Sequence, residues 1–352
     1  MRTYLVTGGA GFIGSHICLL LLKNRYSLYI LDSYANSLPQ SLDRVKLISQ
    51  LDENHIKNNI SIFKGDLRDK NSIQKVFIDA KIKGKTIDGV IHLAGLKSVS
   101  QSIEDPLIYW ENNVISTINL LDVMSENHCF NIVFSSSASI YDTNSKLISE
   151  NSNIRAKNPY AETKIAIEKL LNNLYQANSN KWRVANLRYF NPIGAHSSGL
   201  IGEDPLGVPN NIFPKIIKVA SREIDNLMIF GNDYPTCDGS GVRDFIHVMD
   251  LADGHLSALE YLSSGEPKLI NINLGTGKGT SVLELVDIFQ RVNNVKIPLV
   301  FVERRKGDAA EVVADNSLAT KIINFSPKRS LSEMCRDGWH WYLKNPKGYR
   351  NN

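Results

Sequence analysis

Three glycines near the start of the chain, Gly8, Gly11 and Gly14, lie between an apolar run, Thr3 to Thr7, and an amphipathic one, Ile13 to Lys23. The pattern predicts a strand, a tight turn and a helix. Each glycine has its own physical reason. Gly8 permits the turn, Gly11 lets backbone approach a pyrophosphate, and Gly14 lets helix and strand pack closely. The N–H groups and positive end of the helix then offer an anion site. Asp32 closes the next apolar run, where a carboxylate accepts hydrogen bonds from an adenosine ribose and repels a 2′-phosphate. That favours NAD over NADP. Asp66, ending a third run in FKGD, is placed to meet the adenine.

Such a turn constrains everything after it. Further strands are expected at Leu28 to Asp32, Ile60 to Phe63, Gly89 to His92, Asn131 to Ser135 and Trp182 to Tyr189, with a helix at Ile108 to Ser125 among those between them. Short Val/Ile/Leu runs separated by helices predict an α/β fold with a doubly wound parallel sheet (Rossmann), covered on both faces. After Phe190 the texture changes. Asn191 to Pro214 is rich in Gly, Pro and Asn, and a loop of that length is usually functional. Helices are expected again at Val248 to Leu262, Val282 to Arg291 and Leu331 to Tyr342, and Ser49 to Asn59 reads as a polar surface excursion. The expected division is 1–190, an NAD-binding domain, and 191–352, a smaller C-terminal α/β substrate domain, with some segments returning to the first.

Composition excludes several classes. The chain has 352 residues, 43% hydrophobic and 22% charged, with a net charge of +4 carried by scattered Lys and Arg. That balance fits a globular protein without a nucleic-acid footprint. Cys18, Cys129, Cys237 and Cys335 form no CxxC pair, so neither a metal site nor a disulfide framework is expected, and a reducing compartment fits best. No leader-like segment opens the chain and no window approaches ~18 uninterrupted apolar residues, so a cytoplasmic protein without a membrane span is expected.

The chemistry is expected from Ser135, Ser136 and Ser137, ending the fifth strand, and from NPYAETK, where Tyr160 and Lys164 are spaced i, i+4. On a helix that spacing puts both on one face. A free tyrosine, with a pKa of about 10, is a poor base at neutral pH. A nearby ammonium and a positive nicotinamide ring favour the phenolate. Tyr160 then takes a proton from a substrate hydroxyl as hydride leaves the same carbon, Ser137 positions the oxygen, and Lys164 reaches the nicotinamide ribose.

With these residues in place, the chain resembles the extended branch of the short-chain dehydrogenase/reductases and, within it, the UDP-galactose (UDP-glucose) 4-epimerase family. The likeness runs nearly end to end. It includes TGGAGFIGSH, HLAGLKSVSQSIEDP, FSSSASIY, LRYFNPIGAH, GEDPLGVPNN, IFGNDYPTCDGSGVRDFIHVMDLADGH, NLGTG and WHWYLKNPKGY. The resemblance implies tightly bound NAD, contacted by Phe12, Ile13, Asn36, Ser37, Leu67, Leu93, Ala94, Gly95, Lys97, Asn112, Ser135 and Tyr189 besides the glycines, Asp32, Asp66, Tyr160 and Lys164. Lys97, Ser137, Tyr160, Asn191, Asn211 and Ile212 would meet the UDP-sugar. Arg243 and Arg305 would neutralise its diphosphate, Phe230 would flank the uracil, and Asp308 would hold the uridine ribose. A homodimer is also implied.

Two departures matter. Asp142 follows Tyr141 where the family usually has glycine, a turn position expected to have little effect on chemistry. Val312 stands where hexose-only epimerases resemble one another in carrying a tyrosine, so an N-acetyl group is expected to fit beside the sugar C2. The expected reaction is reversible inversion at C4 of a UDP-hexose through a 4-keto sugar. A dedicated UDP-N-acetylhexosamine or UDP-pentose 4-epimerase would use the same residues. A 4,6-dehydratase would need a carboxylate beside the catalytic serine, where this chain reads Ser137, Ala138, Ser139. A non-catalytic NAD sensor would be marked by loss of the tyrosine or lysine.

Overall fold

The computed structural model describes residues 1–142, 147–207, 211–305 and 307–350. The chain divides into two compact units: Met1–Ile140, Ala156–Arg188 and Ala252–Ile272 form the first, and Tyr141–Arg155, Tyr189–Leu251 and Asn273–Asn352 the second.

The first unit is built on strands β1 (Thr3–Thr7), β2 (Ser27–Asp32), β3 (Ile60–Lys64), β4 (Ile87–His92) and β5 (Asn131–Ser137). With β6 (Leu147–Ile148) assigned to the second unit, β7 (Arg183–Tyr189) and β12 (Leu269–Leu274) complete the sheet. Its order is β12-β7-β5-β4-β1-β2-β3. Strands β1, β2, β3, β4 and β5 pair in parallel. Leu5, Val6, Leu28 and Ile30 are buried, as continuous apolar strands covered on both faces must be. The strand order reverses between β1 and β4, and open α/β sheets bind ligands beyond the strand ends at such a point.

The helix expected over Ile108 to Ser125 is not regular. It runs as a short helix Pro106–Tyr109, a π-helical turn Trp110–Ile115 and a helix Ser116–Glu126. The cause is local. The Asn112 amide donates to the Ile108 carbonyl at 2.8 Å, and the Ser116 and Thr117 hydroxyls donate to the carbonyls of Asn112 and Asn113, each at 2.5 Å. Side chains that bond carbonyls a turn back compete with the main-chain ladder and open it. The polar stretch Ser49 to Asn59 contains a helix, Glu53–Asn59, that buries no residue and is capped by Asp52.

In the second unit β8 (Asn191–Ile193) pairs with β11 (Phe245–His247), and β9 (Leu227–Phe230) with β14 (Leu299–Val302). A further sheet has β13 (Thr280–Ser281), β10 (Val242–Arg243), β15 (Glu311–Ala314) and β6 in that order. The helices Ile212–Ala220, Val282–Asn293 and Leu331–Lys344 pack around Phe213, Phe289 and Trp339, whose rings meet edge to face at 5.9 Å in both pairs. The long stretch Asn191 to Pro214 starts as β8 and ends inside a helix; its residues 208–210 lie outside the described residues. Asp142 sits in this unit, its N–H donating to the Asn153 carbonyl at 2.8 Å. Among the described residues no helix is long and apolar enough to cross a membrane.

Candidate active site

The glycine turn leaves β1 at the point where the sheet order reverses. Gly8 has φ +72°, and a Cβ there would lie 2.9 Å from the Ala94 nitrogen in the loop after β4. At Gly14 a Cβ would lie 2.2 Å from the Gly8 carbonyl oxygen. Both glycines are therefore demanded by this chain's own packing. Gly11 is less crowded, with its nearest contact at 3.3 Å. It is the N-cap of the helix Phe12–Lys23, and no side chain caps that end. The first-turn N–H groups thus have no side-chain acceptor, and a pyrophosphate fits them.

Asp32 anchors the turn from below. Its carboxylate accepts from the Ala10 N–H, the Tyr34 N–H and the Ser37 hydroxyl, each at 2.9 Å. A carboxylate has about four lone-pair sites, so capacity remains for a ribose hydroxyl. Asn36 beside it is exposed, and Phe12 and Ile13 are half-buried. Asp66 is held by the Arg68 guanidinium at 2.7 Å, which lowers its carboxyl below the usual range. Leu67 belongs to the hydrophobic core of the first unit.

Leu93 and Ala94 are half-buried, and Gly95 and Lys97 are exposed. The neighbour of Asn112 organises this loop. The buried Asn113 accepts from the Leu96 N–H at 2.8 Å and donates to the Leu96 carbonyl at 3.1 Å and to the Thr163 hydroxyl at 3.0 Å. Asn112, which the resemblance implies as a cofactor contact, is half-buried and donates to the Ile108 carbonyl at 2.8 Å. The helical phase that buries Asn113 is visible only with the π-helical turn in place.

Ser137 ends β5, and Tyr160 and Lys164 lie on the helix Pro159–Ala177, whose N-cap Asn158 accepts from the Ala161 N–H at 2.9 Å. The Ser137 side chain is near enough to the Tyr160 phenol to favour its ionisation. Lys164 donates to the Ser135 carbonyl at 2.8 Å, and its Nζ lies 5.8 Å from the Tyr160 ring centre. The Ser135 hydroxyl is turned away to His255 at 3.1 Å, so this residue's carbonyl does the positioning. Tyr160 and Lys164 are 8% and 5% exposed, and that burial decides their protonation.

The phenol is pushed up to about 12 by burial, against the opposing effect of the Ser137 side chain. Lys164 is pushed down to about 8 by burial, against the Glu168 carboxylate. The expected phenolate therefore depends on the positive nicotinamide ring as well as on Lys164. The lysine's proximity alone does not lower the tyrosine, because desolvation outweighs it.

In the second unit Tyr189 closes β7 half-buried, and Asn191 donates to the Asp244 carbonyl at 3.2 Å. Asn211 is exposed at the N-cap position of the helix Ile212–Ala220 and makes no side-chain cap bond, while Ile212 packs on the core. The Arg305 guanidinium lies 3.8 Å over the Phe230 ring. Arg243 donates to the carbonyls of Val242 at 2.8 Å and Ala309 at 3.1 Å, and burial lowers its pKa against the opposing Asp308. Asp308 is exposed, and Val312 is half-buried in register with Arg243.

Lys215 is a cation the sequence did not single out. It is half-buried on the helix Ile212–Ala220, and burial and Arg305 both lower its pKa. Lys215, Arg243 and Arg305 therefore share one electrostatic neighbourhood, a surplus of positive charge suited to a multiply charged anion. Arg304 differs, being paired with Asp233 at 2.7 Å. Among the described residues no His, Cys, Asp and Glu group could hold a metal ion.

A family model described as GDP-mannose 4,6 dehydratase matches residues 5–338. UDP-glucose 4-epimerase 2 of Arabidopsis thaliana is 48% identical over 99% of this chain and 97% of its own length. The chain belongs to the UDP-glucose 4-epimerase family. Among solved structures, the family's Stenotrophomonas maltophila member with bound NAD and formylated UDP-arabinopyranose superposes with a TM-score of 0.92 at 38% identity, covering 99% of each chain. The Bifidobacterium longum member in complex with NAD+ and UDP gives 0.90 at 40% identity, covering 99% of this chain and 100% of its own.

Proposed function

We propose that this chain interconverts UDP-glucose and UDP-galactose by inverting C4 of the sugar through a 4-keto intermediate, with NAD as its tightly bound cofactor. The observation that carries the reading is the buried Tyr160–Lys164 pair on one helix face, with Lys164 donating to the Ser135 carbonyl at the serine-tipped end of β5. NAD, when bound, supplies the acceptor for the C4 hydride and its source on return. The chain does the rest. Gly8, Gly11 and Gly14 hold the pyrophosphate and Asp32 the ribose. Ser137 orients the C4 oxygen, and Tyr160, ionised under the positive charges of Lys164 and the bound nicotinamide, takes its proton and later returns it. Lys215, Arg243 and Arg305 grip the diphosphate, leaving the sugar free to turn over about its phosphate linkage. The second fold-mate reaction, 4,6-dehydration, would need an extra acid and base, and Ala138 and Ser139 beside Ser137 supply no carboxylate.

Val312 supports acceptance of UDP-N-acetylhexosamines alongside hexoses, since its side chain leaves space a tyrosine ring would fill. A dimer is supported by the segment around the π-helical turn, where Val99, Ile103, Leu107, Trp110 and Ile115 are all exposed. A second copy of the chain would cover that face. Four free thiols suit a reducing cytoplasm. The test is incubation of purified protein with UDP-galactose alone. An epimerase equilibrates it with UDP-glucose, a dehydratase yields a 4-keto-6-deoxy sugar, and a sensor leaves it unchanged. Tyr160→Phe is expected to lose about 10²–10⁴ in rate; near-normal turnover by that variant would remove the proposed base.

A further inference from the structure

Behind Lys164 the helix Pro159–Ala177 carries Glu168, one further turn along the face that holds Tyr160. The side chain is 8% exposed and fully engaged. The Ser136 hydroxyl donates to its Oε1 at 2.5 Å. Arg188, on β7, donates from Nε to Oε1 at 3.0 Å and from Nη2 to Oε2 at 2.6 Å. Consecutive residues of β5 thus bind the same helix face twice. The Ser135 carbonyl receives Lys164, and the Ser136 hydroxyl meets Glu168.

We propose that Glu168 is a positioning residue for the Tyr160–Lys164 pair, holding the Lys164 ammonium charged and aimed at the Ser135 carbonyl. The inference rests on the roles given above to Tyr160 and Lys164. A buried carboxylate paired with arginine is a weak source of stability, so folding alone does not account for it. Its neighbour needs it. Among the described groups, no other carboxylate acts on Lys164. The Phe134 ring lies 4.8 Å from Nζ, and the Tyr160 phenol is raised by burial and by the nearby Tyr109. His92 on β4 is held between the Thr7 and Thr117 hydroxyls at 2.8 and 2.9 Å and is neutral, pushed down to about 3 by burial and by Lys164. Glu168 is the carboxylate that opposes burial at Lys164. The lysine is charged below its midpoint near 8 and neutral above it, so losing Glu168 moves the loss of charge to lower pH.

The experiment is an NMR titration of the NAD-bound enzyme labelled with 13C at lysine Cε, with the Lys164 signal identified by its loss in Lys164→Met. Glu168→Gln is expected to lower the Lys164 midpoint by about one unit or more. Because that variant strands a buried guanidinium, the Glu168→Gln/Arg188→Met double variant is measured as well, with the same fall expected. Arg188→Met alone keeps the carboxylate and is expected not to lower the midpoint. In turnover the alkaline limb of kcat moves down with the midpoint in the double variant. An unmoved midpoint or limb in the double variant, or an equal fall in Arg188→Met alone, overturns the proposal. The titration needs no UDP-sugar, so it is decided separately from the epimerase reaction, which wild-type turnover tests.

Discussion

The glycine turn of the first unit and the cation cluster of the second both suit phosphate, and they are built on opposite principles. The turn is made of backbone. Its donors are fixed by contacts so close that Gly8 and Gly14 have no substitute, and the Asp32 carboxylate bonds it from beneath. The cluster is made of long side chains, half-exposed, with charge in surplus and only carbonyls bonded by Arg243. A backbone cradle suits a cofactor that stays. Screened, adjustable cations suit a substrate that must enter and leave each cycle.

Substitutions in the two regions should therefore fail differently. Gly14→Ala is the most severe, since its Cβ would stand 2.2 Å from a carbonyl oxygen. The expected result is protein that purifies without NAD and has no activity, measured by NAD content and turnover; normal NAD content would break the contrast. Arg243→Met should weaken UDP about 10- to 100-fold, the value of a charged hydrogen bond, with NAD content unchanged. Calorimetry checks both. Lys215→Met should cost less, about fivefold at most for a partly exposed charge, and should flatten the salt dependence of UDP affinity. The smallest change is expected from Val312→Tyr, which leaves UDP-galactose turnover nearly intact and removes UDP-N-acetylgalactosamine turnover. Equal loss of both substrates would count against a role for Val312 in sugar choice.

Local signals made much of this molecule legible in the sequence. β1 is read over its full length because five apolar-to-polar residues end at a glycine turn, and Val248–Leu262 is a helix at the limits its periodicity predicts. The serine tip, Tyr160 and Lys164 were readable because i, i+4 spacing is a geometric statement in itself. What escaped is one local irregularity and several long-range contacts. The π-helical turn arises from carbonyl competition by Ser116 and Thr117, residues that are common in ordinary helices. Asn113, Lys215 and Glu168 acquire their roles from partners 17 to 50, 90 and 20 residues away in sequence, at Leu96 and Thr163, Arg305 and Arg188. How readily Tyr160 ionises was not legible, because spacing reveals the neighbouring charge but not how deeply both groups are buried.

The contrast between a resident cofactor and a passing substrate converges on one measurement. UDP-galactose carrying deuterium at C4 is incubated with purified protein, without added NAD, in ordinary water. The account predicts UDP-glucose that keeps its deuterium at C4, because the hydride removed is the one returned within the same turnover. Product with hydrogen at C4, or conversion that starts only when NAD is supplied in proportion to substrate, would contradict it.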